Sequence, residues 1–521
     1  MIRRQSMKEW LKNAVFYEIY PQSFKDTNGD GIGDINGIIE KLDYIKETGF
    51  NAILVHPMYL SPFMDAGYDA EDFYTIAPRY GTNADAKRLF DEVHKRGMHI
   101  FTVLIPCHTA ITSKEFKESC KAEKNKYSGR FLWTPNHEIT FDGVGGVVNS
   151  MRGMSERDGC FGTSYYSIQP AINYGIANPT ADWQDTVDSE NARESREELI
   201  NIMRFWLDMG CDGFRVDMAS AVIKNDNDKS EAIKFWQKVF GVINKEYPEA
   251  AFVPEWGDPT KSSASGFDTD FCAFYYKLFR VWDNDGPYFS HTPQVGIKDF
   301  FDIYMTHYKE VFGKSYMSVI TGNHDTPRIS RLLDDTELKL AYAFLMAMPG
   351  IPFVYYGDEI GMKYLADVKS IEGGYERTGS RSPMQWDSSK NCGFSTADAD
   401  KLYMMIDPDE NRPTVEAQQK DPNSLYNTVK KLLSIRMANE ELQSDAEIEL
   451  VYIVESTYPC IFKRKGKDRD ILVVINANDN EQSCDFDGEL GEALYEYNGK
   501  AVCRDGKIIV PPCSASYFVL K

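Results

Sequence analysis

The strongest constraint on the fold is an alternation of apolar strand patterns and amphipathic helix patterns along most of the chain. Such an alternation is typical of βα units around a parallel sheet. The apolar runs that qualify as strands are residues 14–21, 50–60, 98–106, 211–219, 250–256, 270–276, 318–325 and 351–359, and the sixth is the weakest. Eight strands with intervening helices predict an α/β fold, a closed (β/α)8 TIM barrel.

Two stretches depart from this alternation. Residues 109–172 are too many for one helix and are rich in polar, aromatic and glycine residues, which predicts a small inserted domain after strand three. After residue 443 the pattern changes to short alternating runs separated by turn signals, which predicts a C-terminal antiparallel β-sandwich. The predicted domains are therefore the barrel (1–108 and 173–443), the insert (109–172) and the sandwich (444–521).

Three of the predicted strands lead into an acidic residue. Asp217 occurs in GFRVDMA, Glu255 in AFVPEWGD and Asp325 in VITGNHDTPR. A parallel barrel places the C-terminal ends of all its strands on one face, where loops build the active site. One such carboxylate would be explained equally well by an ion pair at a strand end. Three together favour cleavage of glycosidic bonds, which uses one carboxylate nucleophile and one protonated acid.

Charge and composition restrict the partners and the location. A net charge of −21 disfavours nucleic acid and anionic membranes as partners. The chain has no apolar run of about 18 residues and no signal-peptide pattern at its basic N-terminus. Ten cysteines without a CxxC pair indicate buried free thiols. We therefore expect a cytoplasmic protein, a monomer or a weak homo-oligomer.

Seven segments, in this order, resemble the α-amylase superfamily, glycoside hydrolase family 13, over nearly the whole chain. They are YEIYPQSFKDTNGDGIGDINGI, GYDAEDFY, GFRVDMA, VPEW, GNHDTPR, PGIPFVYYGDEIGM and RSPMQWD. The resemblance is closest to the α-glucosidase branch, which includes oligo-1,6-glucosidases, dextran glucosidases and trehalose synthases. It implies a retaining hydrolase that releases glucose from short α-linked gluco-oligosaccharides through a covalent glycosyl-enzyme.

The resemblance assigns a role to each of the three carboxylates. Asp217 matches the nucleophile, Glu255 the general acid/base, and Asp325 the carboxylate that binds sugar hydroxyls and favours the distorted transition state. Glu255 has to be protonated near neutral pH, and we expect nearby negative charge to raise its pKa.

The resemblance also implies groups that act directly beside these carboxylates. Arg215 lies two residues before Asp217, so both side chains point to the same side of the strand, and the cation would keep the nucleophile ionised. His108 and His324 match histidines that donate hydrogen bonds to hydroxyls of the bound sugar.

A second group of implied residues closes the sugar pocket. Tyr68 would stack on the sugar ring, and Asp65 would bind hydroxyls at the non-reducing end, which favours exo-action. Arg381 matches an arginine of the pocket wall whose partner would be an acid such as Asp65. Gln169 is expected to line the pocket.

The loop DTNGDGIGD places oxygen ligands at alternate positions and glycines between them. This spacing resembles the first half of an EF-hand loop and predicts a structural Ca²⁺ site, with Mg²⁺ or a metal-free turn as alternatives. The predicted ligands are Asp26, Asn28, Asp30, the carbonyl of Ile32, and Asp34.

Several functions stay open at this stage. The same covalent intermediate serves glucosyl transfer or isomerisation, as in trehalose synthases, and an endo-acting α-amylase is a further alternative. A non-catalytic carbohydrate-binding or transporter-associated member is disfavoured because all three carboxylates are present. Met218, next to the nucleophile, does not distinguish α-1,4 from α-1,6 linkages.

Overall fold

The protein consists of short strands, mostly in one parallel and two antiparallel sheets, and of helices that pack around them. The computed structural model describes residues 7–273, 275–283, 286–293, 295–455 and 458–521. In chain order, the strands in these residues are β1 (Phe16–Ile19), β2 (Ala52–Val55), β3 (Tyr59–Leu60), β4 (Asp72–Ile76), β5 (His99–Leu104), β6 (Ser150–Met151), β7 (Phe161–Gly162), β8 (Gly213–Val216), β9 (Ala251–Pro254), β10 (Ser318–Ile320), β11 (Ile351–Tyr355), β12 (Glu447–Tyr452), β13 (Cys460–Lys465), β14 (Asp470–Asn476), β15 (Gln482–Asp485), β16 (Leu490–Tyr497), β17 (Val502–Arg504), β18 (Lys507–Val510) and β19 (Ser514–Leu520).

The α-helices alternate with the strands of the first sheet, as the sequence pattern predicts. In the described residues they are α1 (Ile35–Glu40), α2 (Leu42–Thr48), α3 (Asn83–Lys95), α4 (Lys114–Ser119), α5 (Glu190–Met209), α6 (Ser230–Glu246), α7 (Pro259–Ser265), α8 (Tyr275–Phe279), α9 (Ile297–Val311), α10 (Asp335–Ala347), α11 (Val415–Lys420) and α12 (Leu425–Ala438). Their ends follow local chemistry. For example, α3 begins at a capping box formed by Thr82 and Asp85, and α5 ends at Gly210 in the left-handed conformation.

The first sheet is parallel, in the order β10-β11-β1-β2-β5-β8-β9. Every residue of β1, β2, β8 and β9 is buried, as expected for strands that are covered on both faces. The sheet curls into a (β/α)8 TIM barrel, which confirms the predicted fold class.

The sixth position of the barrel differs from the prediction. In the described part of residues 270–276 no strand forms, and α8 begins at Tyr275 (Phe274 lies outside the described residues). Residues 268–272 nevertheless lie between β9 and β10. The Asp268 amide donates to Phe252 O (3.0 Å), and the Tyr316 amide donates to Asp268 O (2.8 Å).

Side chains explain why the sixth position does not become a regular strand. The Asp268 carboxylate accepts the Phe252 amide (2.9 Å), and the Cys272 amide donates to Ser318 Oγ (2.9 Å). Local side-chain bonds of this kind compete with a backbone ladder.

Residues between β5 and α5 form the excursion that the sequence predicts after strand three. They contain the small hairpin β6-β7 and have a small apolar core of their own, formed by Leu132, Phe141, Val144, Ala171 and Ile176. An antiparallel bridge between His108 and Ala171 connects this segment to the end of β5.

The C-terminal residues form the predicted antiparallel sandwich. A five-stranded sheet, β12-β13-β14-β19-β16, packs on a three-stranded sheet, β15-β18-β17. Ile461, Leu472, Ile508 and Phe518 are among the buried residues between the two sheets. The opposite face of the larger sheet packs on the barrel, where the Phe462 and Phe344 rings lie 6.0 Å apart.

Two further observations concern the cysteines and the helices. All ten cysteines are free, and seven of them are buried. Among the described residues, no helix combines the length and the apolar character needed to span a bilayer.

Candidate active site

Asp217 and Glu255 follow neighbouring barrel strands directly, since β8 ends at Val216 and β9 at Pro254. Arg215, in β8, contacts both carboxyl groups. Its Nη1 lies 2.5 Å from Asp217 Oδ1 and its Nη2 lies 3.0 Å from Glu255 Oε2. Glu255 Oε2 also accepts the amide of Met218 at 3.0 Å. The two carboxyl groups are thus held at the ends of one guanidinium group.

The environments of these two carboxyl groups differ. The Asp217 side chain is 8% exposed and that of Glu255 is 45% exposed. Burial raises the pKa of Asp217, Arg215 lowers it, and the charge of Glu255 raises it again. Arg215 is therefore the neighbour that favours the ionised form of Asp217.

Asp325 lies five residues beyond the end of β10. Its Oδ1 accepts from Arg377 Nη1 (2.9 Å) and Arg381 Nη2 (3.0 Å), and its Oδ2 lies 3.2 Å from His324 Nε2. Arg381 Nε donates to the carbonyl of His324 at 3.0 Å. Arg381 therefore binds an acid, as the resemblance implies, but this acid is Asp325 and not Asp65.

Arg377, which sequence reasoning missed, makes the contact with Asp65 instead. Its Nη2 lies 3.4 Å from Asp65 Oδ1 and donates to Tyr166 Oη (2.9 Å) and to the carbonyl of Gly373 (2.8 Å). Since Nη1 binds Asp325, one arginine links the segments after β2, β10 and β11 to the insert. Its position four residues before Arg381 was the available signal.

Asp65 is almost fully buried and has a second partner. Gln169 Nε2 donates to Asp65 Oδ2 at 2.8 Å. Burial raises the pKa of Asp65 to about 6, although Arg377 and Gln169 act in the opposite direction. Gln169 therefore orients Asp65 at the same wall as Arg377.

Tyr68 connects the two groups of carboxylates. Its ring stacks on His324 (centroids 5.0 Å apart), and Arg215 Cζ lies 5.6 Å from the centroid of the Tyr68 ring. The carbonyl of Tyr68 accepts from His108 Nε2 at 3.0 Å. All ten residues expected at the site thus belong to one connected network.

The electrostatics of Tyr68 also indicate that the carboxylates lie close together. Burial raises the pKa of Tyr68 and Arg215 lowers it, while the charges of Asp217, Asp325 and Glu255 raise it further. All three acidic groups therefore act on one hydroxyl group.

The loop of residues 26–34 is tightly curved and directs carboxylate oxygens towards its own backbone. Asp26 Oδ1 accepts the amides of Asn28 (3.0 Å) and Gly29 (2.8 Å), and Asp34 caps α1 through the Gly37 amide (2.8 Å). Gly31 has a φ of 91°, and a Cβ there would lie 2.1 Å from the carbonyl oxygen of Lys401. Only glycine fits this turn.

Comparison with known proteins places this site in a family. The family model described as alpha amylase, catalytic domain, matches residues 18–445. Alpha-amylase 3 of Dictyoglomus thermophilum is 29% identical over 522 residues, which cover 97% of this chain and 93% of that protein. The oligo-1,6-glucosidase of Parageobacillus thermoglucosidasius is 29% identical over 503 residues, which cover 83% of this chain and 84% of that protein.

Solved structures agree with the sequence comparisons. The trehalulose synthase from Pseudomonas mesoacidophila MX-45 superposes with a TM-score of 0.83 at 25% identity, covering 98% of this chain and 99% of that one. The family match spans most of the chain and includes the strands that precede Asp217, Glu255 and Asp325. The chain therefore belongs to the alpha-amylase family of glycoside hydrolases.

Proposed function

We propose that the protein is a retaining α-glucoside hydrolase that releases glucose from short α-linked gluco-oligosaccharides. The contact of one guanidinium, Arg215, with both Asp217 and Glu255 is the observation that supports this proposal most strongly. Retaining hydrolysis needs a nucleophile and an acid about 5 Å apart, one on each side of the anomeric carbon.

The two carboxyl groups have distinct roles in the proposed reaction. Asp217 attacks the anomeric carbon, and the glycosidic bond breaks as Glu255 protonates the leaving oxygen. Glu255 then takes a proton from water, which attacks the anomeric carbon and releases Asp217. The exposure of Glu255 suits a group that exchanges protons with water, and the Arg215 contact lowers the pKa of Asp217 against the effect of burial, which favours the ionised nucleophile.

The proposed exo-action rests on the wall formed by Asp65, Arg377 and Asp325. Arg377 binds both carboxylates, and Gln169 fixes Asp65 from the other side. A wall of charged groups offers hydrogen bonds to terminal sugar hydroxyls, and in this proposal it forms the closed end of the pocket. In this proposal Tyr68 stacks on the terminal ring, and His108, His324 and Arg381 complete the pocket.

Product analysis tests the reaction and its stereochemistry. Maltose, isomaltose, sucrose, trehalose, panose and soluble starch are each incubated with the enzyme and with the Asp217→Asn variant. We expect glucose from the short substrates and, by ¹H NMR, the α-anomer as the first product. Rapid loss of starch with little glucose would contradict exo-action, and a β-anomer or an active variant would contradict the assigned mechanism.

The wall itself is tested by Arg377→Gln. Removal of one partner of a buried charged contact costs about 2 kcal/mol or more, so we expect KM for maltose to rise at least about tenfold. The matched control is Arg204→Gln, which removes an arginine from an exposed ion pair with Glu246. An unchanged KM in Arg377→Gln would show that the wall does not bind sugar.

Isomerisation of the substrate is the second candidate, and the superposition with a trehalulose synthase over 98% of this chain favours it. An isomerase transfers the glucosyl group back to a different hydroxyl of the leaving sugar instead of to water. With maltose alone, an isomerase would give trehalose or isomaltose, whereas the hydrolase gives glucose only. Chromatography of the products separates the two functions.

We also propose that the loop of residues 26–34 binds Ca²⁺. The predicted donors are all oxygens, which suits this hard cation, and the glycine at position 31 permits the tight curvature that such a loop requires. If the proposal holds, EDTA lowers the melting temperature and Ca²⁺ restores it in the wild type but not in Asp30→Asn. Asp299→Asn, on α9, is the control. Equal recovery with Mg²⁺ would indicate that the loop does not select Ca²⁺. No response to EDTA would indicate a metal-free turn.

A further inference from the structure

A buried chain of hydrogen bonds lies behind Tyr68 and is not needed for any role assigned above. His56 Nδ1 lies 2.8 Å from Tyr68 Oη, and His56 Nε2 lies 2.7 Å from Glu18 Oε1. All three side chains are buried. These hydrogen bonds therefore extend from Glu18 in the barrel interior to Tyr68, the residue predicted to stack on the sugar ring.

The barrel strands fix the first two members of this chain. Glu18 lies in β1, and His56 follows β2, which pairs with β1 in parallel register. The His56 amide donates to the carbonyl of Ile19 at 2.9 Å. The His56 ring also contacts His324, with centroids 4.1 Å apart. Backbone and ring packing thus leave little freedom for the imidazole to turn.

The protonation states of Glu18 and His56 decide which atom donates in each of these two hydrogen bonds. Burial lowers the pKa of His56 well below its usual value, and Arg215 lowers it further, so the imidazole is neutral and has only one N–H. Burial raises the pKa of Glu18 to about 8, against the effect of Arg215. A protonated Glu18 donates to Nε2, and Nδ1–H then donates to Tyr68 Oη.

This direction decides what the Tyr68 hydroxyl can do. When Tyr68 Oη accepts from His56, its own O–H hydrogen is free to donate to a group in the site. In the opposite order, with Glu18 ionised, Nε2–H donates to Glu18 and the Tyr68 O–H is used by Nδ1. The same three side chains therefore support a Tyr68 hydroxyl that donates into the pocket or one that does not.

We propose that Glu18 and His56 are positioning residues that direct the Tyr68 hydroxyl to donate to the bound sugar. Neither residue touches the sugar, and both act through Tyr68. This inference rests on the proposed glucoside hydrolysis, because it needs a sugar beside Tyr68.

A double-mutant cycle between His56→Gln and Tyr68→Phe tests the inference. A glutamine at position 56 keeps an amide near Nε2 but does not reach Tyr68, whereas phenylalanine at 68 keeps the ring and loses the hydroxyl. The readouts are kcat and KM for p-nitrophenyl α-D-glucopyranoside and the calorimetric affinity for the iminosugar 1-deoxynojirimycin.

If His56 acts through the hydroxyl, each single variant loses about tenfold in kcat/KM and the double variant loses no more than either. Losses that multiply to about a hundredfold would overturn the inference, as would a His56→Gln variant with wild-type kinetics. His94→Gln, at an exposed ion pair with Asp212, is the matched control.

Glu18→Gln gives a second, conservative variant in case His56→Gln does not fold. Its amide N–H can donate to Nε2 as a protonated carboxyl does, so we expect kcat/KM within about threefold of the wild type. A tenfold loss in a folded Glu18→Gln protein would overturn the proposed direction.

Measurements on the wild-type protein distinguish a failure of the proposed function from a failure of the positioning role. A wild-type protein that neither cleaves the glucoside nor binds the iminosugar would overturn the proposed function, and this inference with it. An active wild type with multiplicative losses would overturn only the positioning role.

Discussion

At the scale of single residues, Arg215 sets the charge balance of the site. It is buried, contacts Asp217 and Glu255, and faces the ring of Tyr68. Because burial alone raises the pKa of Asp217, the guanidinium is what favours the carboxylate that the proposed mechanism requires.

Arg215→Met tests this role through the pH dependence of activity. A neighbouring opposite charge lowers a carboxyl pKa by about 1–3 units, so its removal should raise the pKa of Asp217 by a similar amount. Since the ionised form reacts, the acid limb of kcat/KM should move to higher pH, and activity at neutral pH should fall and recover as pH rises. Arg204→Met is the control, and an acid limb that does not move would contradict the role.

The site residues differ in how far the sequence could predict them. Asp217 and Glu255 were predictable because an apolar strand precedes each one directly. Arg377 was not, because it lies in a 3-10 helix within the long segment after β11, where side-chain direction depends on tertiary packing. The same reason explains why Asp65 was the example given for the acid beside Arg381, where the structure has Asp325. The roles of the ten residues remain predictions until kinetics test them.

At the scale of elements, the C-terminal end of α10 depends on two buried arginines. Arg436 donates to the carbonyls of Met346 (2.8 Å), Met348 (2.9 Å) and Gly350 (2.6 Å), and Arg464 donates to that of Ala347. The last carbonyls of a helix have no partner within the helix, so these guanidinium groups satisfy them.

Arg436→Met should therefore destabilise the protein. Each buried acceptor left without a partner costs about 1–3 kcal/mol, and removal of a buried charge offsets part of that loss. We expect the free energy of unfolding to fall by about 2–4 kcal/mol, measured by denaturant titration. Arg204→Met, at an ion pair with Glu246 in which both side chains are partly exposed, is the control and should change it by less than about 1 kcal/mol. Equal losses in both variants would contradict the capping role.

Elements were predictable where burial on both faces gives continuous apolar runs, as in β2 and β11. The sixth strand was predicted from a similar run, but there the side chains of Asp268 and Ser318 accept some of the amides that a regular ladder would pair. An apolar strand pattern does not reveal where side chains take the place of backbone partners, because this depends on residues that are distant in sequence.

At the scale of the whole molecule, the barrel and the sandwich share one apolar core. Phe462, Val473 and Tyr517 of the larger sheet belong to the same buried cluster as Phe301 and Phe344 of the barrel helices. The strand alternation predicted the sandwich but not this shared core, because it does not show which face packs on the barrel.

Removal of residues 444–521 should consequently leave the barrel with exposed aromatic surface. Large exposed apolar patches promote aggregation, so we expect the chain 1–443 to accumulate in the insoluble fraction while the full chain stays soluble. Centrifugation of lysates from matched expressions measures the distribution. A soluble, monodisperse and active 1–443 fragment would show that the barrel core is complete without the sandwich.

The irregular sixth position gives the barrel wall a place of local weakness. Neighbouring strands are joined by a regular series of backbone bonds, whereas residues 268–272 combine scattered backbone bonds with bonds to side chains. Deuterium should enter the amides of this short stretch before those of β1 and β2, because fewer bonds have to break to expose them. Local opening of the barrel would then occur at its sixth position, beside Glu255, while the other barrel strands stay paired.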